Sequence, residues 1–149
     1  MKVTASQELL SHALRVAGRA VAARTPLPIA ANVLLASENG RLKVAATNLD
    51  IAISTWIDAG IAEEGAITLP AKLLGEFVDT LPSEPIDITV KSGSHSAHLS
   101  AGRFEATIRG LDAQDFPLIP TSEAEPAATI DPALLKEMIE QVVFAAAMD

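Results

Sequence analysis

The sequence has no cysteine in 149 residues, which excludes disulfides and thiol chemistry and fits a reducing compartment. Aromatic residues make up only 3%, with one Trp at position 56. A protein that holds single strands by base stacking needs more flat rings than that, so Trp56 reads as core or sheet surface. Nowhere do eighteen apolar residues run together, and the opening MKVTASQELL lacks the apolar run of a signal peptide. A soluble, cytoplasmic protein without a membrane partner is expected. The loops that cradle nucleotides, G-x-x-x-x-G-K-S/T and G-x-G-x-x-G, are missing as well. His95 and His98 stand three apart on an expected strand, so they point to opposite faces and do not suit one metal. Asp112 and Asp115 read as loop and cap residues rather than an acid–base pair. Neither a catalytic site nor a cofactor is expected.

What is present is an ordinary globular balance, 49% apolar and 20% charged. The length suits one domain, or one domain and part of another, and is enough to bury a core without staples. The net charge of −8 argues against nucleic acid on its face, yet it is unevenly spread. Residues 1–59 hold six basic side chains against four acidic, whereas residues 60–149 hold five against fifteen. One surface therefore differs from the rest.

A unit recurs three times. Thr4, Thr68 and Thr129 each end a short β-type run, and after four intervening residues comes a Leu pair: Leu9-Leu10, Leu73-Leu74 and Leu134-Leu135. Each pair opens a helical period. The first stripe reads Leu9, Leu10, Ala13, Val16, Ala17; the second Leu73, Leu74, Phe77, Val78, Leu81; the third Leu134, Leu135, Met138, Ile139, Val142. Asp131 and Pro132 cap and start the third helix.

β material follows the first two helices. Asn39-Gly40 between apolar runs signals a two-residue hairpin, and residues 51–58 alternate as a half-buried strand. Three short runs between Gly-bearing turns (IDITVKSG, HSAHLSAG, RFEATIRG) supply three more strands. Each unit is thus β-α-β-β-β. The halves run about 1–62 and 63–120, a Pro- and Glu-rich linker spans 121–126, and 127–149 read as the first strand and helix of a further domain. The chain is expected to be an N-terminal fragment.

RTPLPIAANVLL, TNLDIAIS, LPAKLLGEFVDTLP, GLDAQDFP and VVFAAAMD, in this order and spacing, resemble the bacterial sliding clamp, the beta subunit of DNA polymerase III. The resemblance implies an α+β DNA-clamp fold of duplicated β-α-β-β-β halves, with antiparallel sheets outside and two helices on the inner face. It also implies a non-catalytic processivity factor whose three-domain subunits close head to tail as a homodimer ring around duplex DNA. The pocket that it implies for polymerase and clamp loader lies between the second and third domains, outside this chain. Two other readings stand beside it: a stand-alone clamp-fold interaction domain that encircles nothing, and a small-ligand-binding α/β protein.

A clamp needs phosphate contacts without base readout. His12, Arg15 and Arg19 fall at i, i+3 and i+7, on one face of the first helix, with Glu8 diluting it; a plain solvated face reads equally well. The resemblance adds Arg24 as a residue that approaches DNA. Lys72 faces outward on the second helix beside Glu76 and Asp79, and serves either DNA or a subunit contact. Arg103, Phe104, Ala106, Ile108 and Arg109 resemble the edge strand that meets the other subunit, although Phe104 and Ile108 suit a core just as well.

Overall fold

The computed structural model describes residues 1–21, 27–120 and 125–146. It divides into two compact units, Met1–Ile119 and Pro120–Asp149.

The first unit repeats one pattern. β1 (Lys2–Ser6), α1 (Gln7–Ala17), β2 (Asn32–Glu38), β3 (Arg41–Thr47) and β4 (Ala52–Glu63) form one half. The other half is β5 (Ala66–Pro70), α2 (Ala71–Thr80), β6 (Pro85–Val90), β7 (Ser96–Ala101) and β8 (Phe104–Arg109). All the named strands pair antiparallel in the order β5-β2-β3-β4-β1-β6-β7-β8. Each half sends its first strand to the other: β5 pairs with β2, and β1 with β6. Neither half can be completed alone.

The contact between a half's last strand and its own first strand is unequal in the two halves. β4 is twelve residues long and pairs with β3 along its first part and β1 along its last. In the other half the matching contact is a single isolated bridge from Thr68 of β5 to Leu111, two residues beyond the end of β8. Its N–H···O bonds measure 3.2 and 3.0 Å. The Thr68 hydroxyl, fully buried, donates to the Leu111 carbonyl at 3.1 Å and accepts from Asn32 Nδ2 at 3.1 Å. Gly110 makes the close approach possible, because a Cβ there would stand 1.8 Å from the Thr68 carbonyl oxygen.

Local sequence explains the elements. The Asn39-Gly40 turn takes φ of 51° and 73°, the left-handed pair that closes a two-residue hairpin with the twist of its strands. α1 buries Leu10, Ala13, Leu14 and Ala17, an i, i+3, i+4, i+7 stripe that begins one residue later than the Leu pair suggests. Leu9 and Leu73, first of each pair, are exposed, while Leu10 and Leu74 are fully buried. With Leu35, Leu42, Leu69, Ile86, Ile88 and Leu99, these residues make one core between the helices and one face of the sheet. At roughly 1.5–3 kcal/mol for each fully buried side chain, that core dominates the favourable terms.

The second unit holds α3 (Pro132–Val142). Asp131 Oδ1 accepts from the N–H groups of Ala133 and Leu134 at 2.9 and 3.0 Å, and Pro132 occupies the first turn. The expected strand before it is not formed, since residues 127–131 carry no ladder. A strand exists only where a neighbour takes its N–H and C=O groups, and none among the described residues does so. The apolar stripe of α3 is exposed from Leu134 to Val142.

Candidate nucleic-acid interface

α1 and α2 lie side by side on the inner face of the sheet and present their polar sides away from it. The expected cation ladder is shorter than the periodicity suggests. His12 and Arg15 are exposed on α1, but the helix ends at Ala17 and Arg19 sits in a separate 3-10 turn, Gly18–Ala20. Gly18, the poorest helix former short of proline, is where the winding tightens. Arg19 is exposed and has no ion-pair partner among the described residues. Arg24 lies outside the described residues.

The rest of the face is occupied. Arg15 Nη2 donates to Ser11 Oγ at 2.8 Å and stands 3.9 Å from Asp79 Oδ1 on α2. Ser11 Oγ in turn donates to Asp79 Oδ1 at 2.5 Å. Gln7 Nε2 donates to the Val78 carbonyl at 2.9 Å, tying the start of α1 to the end of α2. Lys72 pairs with Glu76 along α2 at 3.9 Å. On these two helices and the following turn, three cations (Arg15, Arg19, Lys72) meet three carboxylates (Glu8, Glu76, Asp79). The face is therefore close to neutral. Gln7 and Ser11 carry no signal in the helical periodicity, because their partners lie on the neighbouring helix.

β8 forms the far edge of the sheet. Phe104, at its start, is 41% exposed, with the Arg103 guanidinium 5.2 Å from its ring centre. Ala106 is half-buried and Arg109 exposed. Of the two residues that suited a core as well as a subunit contact, Ile108 is 3% exposed and belongs to the core. Strand alternation puts it on the helix side, opposite Thr107 and Arg109. What this edge offers a partner is main chain, with side chains from Arg103, Phe104 and Arg109 around it.

The outer face of the sheet carries its own polar groups. Trp56 Nε1 donates to Glu38 Oε2 at 2.6 Å, and Lys43 Nζ stands 3.3 Å from the same oxygen and 5.2 Å from the Trp56 ring. The Trp56 hydrogen bond, more than the Lys43 charge, holds the Glu38 carboxyl below its ordinary value against the opposing cost of burial. Trp56 is thus a tethered sheet-surface ring. His98 sits on β7 beside Thr107 and Glu105, at 3.3 and 3.8 Å. Asp112 caps the short turn after β8, accepting from Gln114 N–H at 2.9 Å. Among the described residues, no group of three or more His, Asp or Glu side chains could hold a metal ion, and no helix is long and apolar enough to cross a membrane.

Comparison with known proteins places this geometry. Residues 1–120 match the family described as DNA polymerase III beta subunit, N-terminal domain. The beta sliding clamp of Synechococcus elongatus is 36% identical over 151 residues, covering 100% of this chain and 40% of that relative. The Bacillus subtilis DNA polymerase sliding clamp superposes with a TM-score of 0.93 at 28% identity, over 100% of this chain and 41% of that one. The Caulobacter crescentus clamp does so with 0.91 at 31%, over 100% and 40%. The chain spans about 40% of the length of the relatives it matches.

Proposed function

The chain belongs to the DNA polymerase III beta subunit family, and from that premise we propose that it is the first domain, and the beginning of the second, of a ring-forming sliding clamp. In this reading residues 1–120 are the first domain, 121–126 the linker, and 127–149 the opening of the next. The ring encircles duplex DNA in the cytoplasm and tethers a replicative polymerase without catalysing anything itself. Contacts to polymerase and clamp loader belong to parts of the protein beyond these 149 residues.

The observation that carries the proposal is the pair of helices on one face of a duplicated sheet, with a polar side that is nearly neutral. A ring held on by topology has no need of tight binding. Phosphate contacts from a few Lys and Arg suffice, and since they read no bases they allow sliding. Arg24, Arg19, Arg15, His12 and Lys72 are the proposed DNA-facing residues. The β8 edge, with Arg103, Phe104, Ala106 and Arg109, is the proposed subunit contact. Ile108 supports it from the core, and unpaired main chain is what a partner strand requires.

The test is topological. Residues 1–120 replace the matching domain of the Bacillus subtilis clamp, and the folded chimera is loaded onto nicked circular DNA. Retention on the circle, with rapid loss once the circle is cut, is expected. Equal loss from circular and linear DNA would contradict encirclement.

A further inference from the structure

The spacing of 64 that relates Thr4 to Thr68 also relates Glu8 to Lys72, His12 to Glu76 and Arg15 to Asp79. At two of these positions, Glu8/Lys72 and Arg15/Asp79, the second helix carries the opposite charge to the first, and at the third a carboxylate stands where the first has a histidine. Arg15 and Asp79 are more than equivalents: they meet, at 3.9 Å. The two helices therefore meet at equivalent points of their repeats. Strict duplication would have put like charges face to face at that point, at a cost of about 1 kcal/mol even in water. Here the pair is complementary, and the Ser11 hydroxyl links both members, accepting from Arg15 and donating to Asp79.

The pair does little for the fold. The Arg15 and Asp79 side chains are 73% and 55% exposed, and surface pairs of this kind contribute at most about 1 kcal/mol. Its consequence lies in what else can reach Arg15. A phosphate approaching the helix face meets the Asp79 carboxylate beside the guanidinium and must displace it.

We propose that Asp79 limits the affinity of this face for duplex DNA by holding Arg15 within the helix pair. The proposal rests on the reading of this face as the one turned to DNA. Weak attachment is useful to a ring that must move, and Arg19, without a described ion-pair partner, is left as the freer cation of the two. Asp79 is in this sense a positioning residue, since it acts through Arg15.

The whole chain is titrated against a labelled duplex at several low salt concentrations, followed by fluorescence anisotropy. Asp79→Asn keeps an acceptor for Ser11 and removes the charge. It is expected to tighten binding about three- to ten-fold and to steepen the dependence of log Kd on log salt by about one unit, as one added phosphate contact would. Combining it with Arg15→Ala should abolish both gains. Glu64→Gln, which removes an equal charge from an exposed loop, should tighten binding less than about two-fold. Equal effects from Asp79→Asn and Glu64→Gln, or an unchanged salt slope, would overturn the limiter while Arg19→Ala still weakens binding. If no variant binds duplex at the lowest salt, the DNA-facing reading fails and takes the limiter with it.

Discussion

At Gly110 the chain has no room for one added carbon. A Cβ would stand 1.8 Å from the Thr68 carbonyl oxygen and 2.9 Å from Leu69 Cδ2, and the first of these is backbone that cannot swing aside. Gly110→Ala should therefore break the Thr68–Leu111 bridge and destabilise the first unit by about 3 kcal/mol, the upper range for overpacking. A denaturant melt checks it, and an unchanged midpoint would show that the junction is dispensable. Glu38 offers a second residue-level test. Its folded pKa is depressed, so its contribution to stability is present above the unfolded value and is lost as pH falls through the depressed one. Trp56→Phe removes the leading cause, so the Glu38 carboxyl should titrate closer to its ordinary 4.5 in the variant. An NMR titration of both proteins would see the shift. The Arg15–Asp79 contact could have been read from the sequence, but only by applying the repeat offset to the helix surface and asking which equivalent positions meet.

Among the elements, hairpins and helices were legible because their signals are local. Asn39-Gly40 demands left-handed backbone at both positions, and it takes it. The helical stripes were displaced by one residue, since a Leu pair does not say which member faces the sheet. The swap of β1 and β5 between halves was not legible, because strand partners far apart leave no mark on either run. Ile108 illustrates the same limit: alternation assigns it a face, but only the assembled sheet shows that the face is buried. α3 differs from α1 and α2 in having a cap and a stripe but no cover within its unit. Isolated helices of about this length are marginal in water, so its amides should exchange quickly while those of α1 and α2 are protected. Ending the chain at Pro120 should leave the first unit's melting temperature within a few degrees. If removal of Thr121 to Asp149 unfolds it, those residues belong to the first core.

On the scale of the molecule, an acidic protein is proposed to embrace a polyanion, and the distribution of charge explains how. The net −8 is concentrated after residue 60, whereas the helix face is near balance and the Arg-bearing turn follows α1. With a Debye length of about 8 Å at physiological ionic strength, distant carboxylates count for little at that face. The central claim is that duplex DNA meets this protein on the helix face and the segment that follows α1, and not on the opposite face of the sheet. The most direct measurement is an amide-shift map of the whole chain with duplex DNA, using two unrelated sequences at low salt and again at 0.3 M, roughly twice physiological ionic strength. Shifts are expected on α1, the Gly18–Ala20 turn and the start of α2, alike for both sequences and gone at the higher salt. Shifts centred on the outer sheet face around Lys91 and Thr107, or a pattern that depends on sequence or survives the salt, would contradict that claim.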